Sequence, residues 1–167
     1  TVIYVTHFLV APIVALWIYI AHREWFSRFA ALIVSVTVCG FITYFALPAT
    51  PPWLASRQGS LAPTIRVAHL VWQELGITEL ATIFNGNARL ANPVAALPSL
   101  HAAWPLIMLL FLWPRIGQWR WALLAYNVAM DFVLVYGAEH YLSDILLGWT
   151  YAIIVFVVVT KFMDRKQ

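Results

Sequence analysis

Five apolar runs, each close to the length that crosses a bilayer, decide what this chain can fold into. They read as Val2–Ala21, Phe29–Leu47, Leu97–Trp113, Trp119–Tyr136 and Ile145–Phe162. Roughly 20 mostly apolar residues make a helix that spans the hydrocarbon layer, where every backbone N–H and C=O must find its partner inside the segment. The third run is short unless residues 93–96 extend it, and Pro105 is placed to kink it. Only 10% of the residues are charged and 63% are hydrophobic, whereas water-soluble domains carry about 25% charged residues. A water-facing globule is excluded on that ground. The expected fold class is all-α, a polytopic membrane helix bundle forming one domain over residues 1–167, with five spans in this chain. The chain opens on Thr1 and is apolar at once, unlike the basic start of a signal peptide. One further span upstream, six in all, is expected.

The cations orient the bundle. Arg23 and Arg28 lie between the first and second runs, Arg115 and Arg120 between the third and fourth, and Lys161, Arg165 and Lys166 at the end. These places alternate correctly to share one side, which the positive-inside rule makes cytoplasmic. The long loop 48–96, holding Arg57, Arg66 and Arg89, then faces outward together with the turn Gly137–Asp144. Prolines 48, 51 and 52 stop the second helix there. Within the loop, Thr64–Phe84 interleaves polar and apolar residues as an interfacial helix on the outer leaflet would. Trp25, Trp53, Trp113, Trp119 and Trp121 stand at run ends, where an amphipathic ring anchors at the headgroups. The net charge of +3 is too small to suggest nucleic acid as a partner, and the lone Cys39 gives neither a disulfide nor a Cys-based metal site.

Two clusters at the outward ends carry the chemistry. In Pro98-Ser99-Leu100-His101, Ser99 can cap the third membrane helix and place His101 in its first turn. The free N–H groups of a helix start hold anions, and the imidazole beside them can donate a proton. His140 and Asp144 are four apart and meet on one helix face. A carboxylate holding one imidazole nitrogen leaves the other free to attack. Taken singly, the first cluster is a plain cap and the second an exposed ion pair of at most about 1 kcal/mol. Together on one face they point to phosphoryl chemistry on a lipid.

These residues resemble a known family. Pro98-Ser99-Leu100-His101 and Glu139-His140-Tyr141-Leu142-Ser143-Asp144 look like the second and third signature motifs of the type 2 phosphatidic acid phosphatase superfamily. The longer run Ala95–Trp104, the upstream Leu47-Pro48-Ala49-Thr50-Pro51-Pro52-Trp53 and the opening Tyr4…His7-Phe8 are similar to the branch of inositol phosphorylceramide synthases and their bacterial relatives. The resemblance implies a six-helix membrane bundle in which His140 attacks phosphorus and forms a phosphohistidine. It implies that Asp144 orients His140, that His101 protonates the leaving group and that Ser99 contacts the phosphoryl oxygens. A lipid phosphate is the implied substrate, a polyol the acceptor, and no metal or organic cofactor is expected. The implied setting is a bacterial plasma membrane with the site on its extracytoplasmic face.

Two departures stand against the pattern. The lysine and arginine of the first motif have no match, since the only lysines are Lys161 and Lys166, and Leu134 replaces the arginine six residues before His140. Phosphate wants cationic partners. Arg89 is the first candidate to supply one and Arg66 the second, with Arg57 read as a solvated side chain. Asp131, one turn after Asn127, falls mid-span, where a carboxylate is expensive; it has no role in the family pattern. His7 and His22 read as structural or interfacial. Other classes stay open: a metal-dependent membrane hydrolase on two histidines and a carboxylate, a transporter built on Asp131 and Asn127, or a non-catalytic scaffold.

Overall fold

The computed structural model describes residues 2–67, 76 and 94–165. Six helices are seen among them: α1 (Val2–Ala21), α2 (Arg23–Ala46), the short α3 (Pro52–Arg57), α4 (Leu100–Leu112), α5 (Trp119–Tyr136) and α6 (Leu142–Asp164). There is no strand among the described residues, only an isolated bridge between Ala49 and Ala95. The all-α membrane bundle expected from the sequence is what forms. α1, α2 and α6 are long and apolar enough to cross a membrane, and α4 is a shorter apolar helix. α1 and α5 have the bounds of their apolar runs, whereas α2 begins at Arg23 because its polar first turn extends the helix beyond the apolar stretch. Arg89 and most of the expected interfacial helix Thr64–Phe84 lie outside the described residues.

The third run departs most from expectation. Its helix has 13 residues, about 20 Å at 1.5 Å per residue, short of a hydrocarbon layer of about 30 Å. Residues 94–99 enter without helix, and protein covers them: Ala96, Pro98 and Ser99 are buried. Their backbone is satisfied sideways. Ala49 N donates to Val94 O at 2.8 Å, Ala96 N to Ala49 O at 3.1 Å and Ser99 N to Asp144 O at 2.9 Å. Irregular backbone at membrane depth survives only under such cover. The helix then runs through Pro105, whose missing N–H leaves the His101 carbonyl without its usual donor.

α4 sits centrally, packed against α1, α2, α5 and α6. The main core joins Ile18, Phe29, Leu32, Val36, Ile107, Met108 and Phe111. A smaller cluster, Ala102, Met130, Leu134 and Ile145 with Tyr4, Tyr126 and Trp149 against it, lies around the start of α4. Because lipid tails are as apolar as leucine, polar pairs help fix helix register. Trp104 Nε1 donates to Thr37 Oγ1 at 3.0 Å, and hydroxyl pairs join Thr43 to Tyr151 at 2.8 Å and Thr6 to Tyr126 at 3.1 Å. Phe45, Ile20, Ile42 and Phe132 are among the side chains left on the outside, as a lipid-facing surface requires.

The expected grouping of cations is also present. Arg28 pairs with Asp164, joining the start of α2 to the end of α6. The Arg115 guanidinium lies over the Trp25 ring at 5.5 Å, joining the α4–α5 turn to the same end. His101, in the first turn of α4, and His140, two residues before α6, stand away from these cations at the other ends of the same helices.

Candidate active site

The two clusters meet because backbone ties them. Ser99 N donates to Asp144 O, so the start of α4 is bonded to the start of α6. Ser99 caps α4, its Oγ accepting from Ala102 N at 3.3 Å, and is completely buried. That cap still leaves the hydroxyl proton to donate. His101 follows in the first helical turn, and the ring centroids of His101 and His140 are 5.6 Å apart. A phosphorus atom in reach of one imidazole, at about 3 Å, therefore has its oxygens in reach of the other.

His140 is delivered by the turn after α5. Glu139 N and His140 N both donate to Leu134 O, at 3.0 and 3.1 Å. Ala138 takes a left-handed backbone with φ of 58°, which costs a residue with a Cβ about 1–2 kcal/mol. Its carbonyl accepts from Trp53 N at 3.1 Å, which fastens the turn to α3. Asp144 caps α6, its Oδ2 accepting from Tyr141 N at 2.8 Å. The same oxygen lies 3.4 Å from His140 Nδ1, long for a hydrogen bond, and Nδ1 has no better partner. A carboxylate held rigidly by a helix start thus faces Nδ1, an arrangement that favours the proton on Nδ1 and the lone pair on Nε2. His140 and Asp144 are both buried.

Arg66 stands beside this pair through a residue the sequence reading gave no separate role. Its Nε donates to Glu139 Oε1 at 2.7 Å and its Nη2 to Oε2 at 3.0 Å, a bidentate grip. The guanidinium lies over the Trp53 ring at 4.2 Å, while Arg57 approaches the same ring at 5.3 Å from an exposed position. Arg66→Ala would leave Glu139 buried without its counter-charge, so a loss of about 2 kcal/mol is expected. Unfolding in detergent measures it, and Arg66→Met with Glu139→Gln together should restore most of the loss. Leu134, where the family pattern has arginine, is fully buried among Ala102, Met130 and Ile145 and presents no charge.

His7, read from sequence as structural, belongs to this neighbourhood. Its ring is 4.2 Å from that of His101 and 4.8 Å from Trp104. Tyr4 stacks on His101 at 4.9 Å and Phe8 meets it edge-on at 5.6 Å. The i, i+3, i+4 spacing of Tyr4, His7 and Phe8 was the signal that one face of α1 carries all three. Asp131 lies beside the Trp149 side chain, and the Asn127 Nδ2 is buried without a hydrogen-bond partner. Among the described residues no three His, Cys, Asp or Glu side chains close into a metal-binding set.

A membrane helix bundle that gathers two imidazoles and a helix-capping carboxylate at one end defines a narrow class of protein. Residues 1–158 match the family described as the PAP2 superfamily, and the chain belongs to that superfamily. It is 34% identical over 142 residues to the phosphoinositol dihydroceramide synthase of Bacteroides thetaiotaomicron, covering 79% of this chain and 45% of that one. It is 27% identical over 128 residues to the inositol phosphorylceramide synthase catalytic subunit of Schizosaccharomyces pombe, covering 73% of this chain and 30% of the relative. The chain thus spans less than half the length of either relative. No solved structure matches it.

Proposed function

We propose that this protein moves a phosphate-linked headgroup between lipids through a phosphohistidine on His140, at the extracytoplasmic face of a bacterial plasma membrane. The observation that carries the reading is the pair of imidazoles 5.6 Å apart, one of them faced by a carboxylate. Nε2 of His140 attacks phosphorus while the bond to the donor lipid's alcohol oxygen breaks, and His101 gives that oxygen its proton. An acceptor hydroxyl then attacks the phosphohistidine, returns a proton to His101 and releases His140. Asp144 steadies the charge that forms on the ring. Ser99 and Arg66 hold the phosphoryl oxygens, with Arg89 as the further candidate. No metal or organic cofactor has a part in this scheme.

The names of the two relatives suggest the lipids: a donor bearing inositol phosphate and a ceramide-type alcohol as acceptor. With water as acceptor the same site would be a phosphatase, since the first half-reaction is shared. Phosphatidylinositol labelled at phosphorus should leave an acid-labile, alkali-stable label on the protein. Added ceramide should carry that label into lipid, and without it the label should appear slowly as soluble inositol phosphate. Turnover with no label ever trapped on protein would overturn the covalent mechanism. A protein that neither labels nor turns over lipid would instead favour a scaffold or transporter.

A further inference from the structure

We propose that His7 is a third working imidazole of this site, taking up a proton when a phosphoryl group occupies the space before His101 and His140. This rests on the function proposed above and assigns the positive charge that the missing lysine and arginine motif leaves unaccounted for.

The argument starts from cost. His7 lies within the second turn of a membrane helix and is 5% exposed. An ionisable side chain so placed is expensive unless it is paired or in use. Its surroundings are not the plain apolar core: it lies against His101 and Trp104. On its other side His101 is flanked by Tyr4, and His101 Nε2 is buried without a hydrogen-bond partner. Three imidazoles therefore run from α1 through α4 to the turn before α6, with neighbouring rings at 4.2 and 5.6 Å.

The charges around them fix what an anion meets. From α1 comes Tyr4; from α2, Tyr44, whose hydroxyl donates to Pro98 O at 2.8 Å. From α4 comes His101, from the turn Glu139 and His140, from α6 Asp144, and from the segment after α3 Arg66. Leu134 and Met130 of α5 add no charge. Arg66 and Glu139 offset each other in their bidentate pair, and Asp144 is balanced only if His140 is protonated. A tetrahedral anion entering this group of described residues finds donors in Ser99 and Arg66 but, with Glu139 offsetting Arg66, no net positive charge from fixed cations. A proton taken up on binding would supply that charge, and an imidazole beside a bound anion is the group that takes one. A proton on His101 is spent on the leaving group in the first step. A proton on His7, one ring further back, stays through both half-reactions. His7 acts through His101 and is a positioning residue in that sense.

The test uses sulfate, a tetrahedral dianion that does not titrate in the range used, on the purified full chain in detergent. Calorimetry in buffers of different ionisation heat counts protons taken up per anion bound. Between about pH 6.5 and 8, a one-proton linkage weakens binding up to tenfold per pH unit. The parent protein should show that linkage. His7→Phe keeps the ring stack but should take up about one proton fewer and lose most of the pH dependence. His7→Gln, which keeps a polar side chain, should behave the same and serves if the phenylalanine variant does not fold. A histidine with a merely structural role would lower the unfolding temperature and leave proton uptake unchanged. Equal uptake in parent and variants overturns the role of His7 while leaving the phosphoryl-transfer reading intact. Failure of the parent to bind the anion, together with no label trapped from lipid, overturns both.

Discussion

His140→Ala is expected to fold as its parent does and to turn over labelled lipid at least about 10⁴-fold more slowly, the scale seen when a covalent nucleophile is removed from a preassembled site. The ring makes no hydrogen bond through Nδ1 that the fold requires. The turn carrying it is held by backbone bonds to Leu134 O and by the Trp53–Ala138 bond, so the side chain can be removed without moving the turn. Asp144→Asn should cost less turnover, because it disturbs the orientation of the ring and leaves the ring in place. Residual turnover in His140→Ala close to that of the parent would remove His140 as nucleophile. The rate of phosphorus transfer from phosphatidylinositol, normalised to folded protein, is the measurement.

The second large effect concerns stability. Gly148 on α6 packs directly on the backbone of Ser99: a Cβ added there would overlap the Ser99 carbonyl oxygen and lie 3.2 Å from its carbon. The atoms in the way are main chain, and that main chain is bonded to Asp144 O on one side and caps α4 on the other. It cannot yield as the end of a flexible side chain would. Gly148→Ala should therefore destabilise the protein by about 3 kcal/mol, the upper range for overpacking. Because relief of the overlap parts α4 from α6, lipid turnover should fall with it. Thermal unfolding in detergent and the transfer assay should move together. Gly40, whose added Cβ would meet the Leu100 side chain first, is the contrast: Gly40→Ala should be far milder because Leu100 can adjust. Equal effects at both glycines would mean the α4–α6 contact is looser than the backbone distances indicate.

Much of this protein was legible before any contact was known. Hydropathy and length marked the helices, because a backbone crossing lipid must satisfy itself locally. The cations fell into groups that the structure brings to one end, since Arg28 reaches Asp164 and Arg115 reaches Trp25. Ser99 as a cap was readable because capping is a relation between near neighbours in the chain; the spacing of His140 and Asp144 suggested one shared helix face, whereas His140 lies in the turn before α6. Arg66 was among the cations singled out, though its hold on Glu139, 73 residues away, was not.

The sequence by itself determined that the chain is a membrane helix bundle and that its two histidine clusters fall at or just before helix starts. Hydropathy, charge placement and caps are set within a few residues of each position. Tertiary packing alone decided that α4 is shortened by a buried extended entry, that His7 belongs with His101, and that Arg66 answers to Glu139. Those outcomes depend on which helix faces lie against each other across long stretches of chain. A local pattern carries no record of such distances; only the packing of α1, α4 and α6 around Ser99 and Gly148 supplies it.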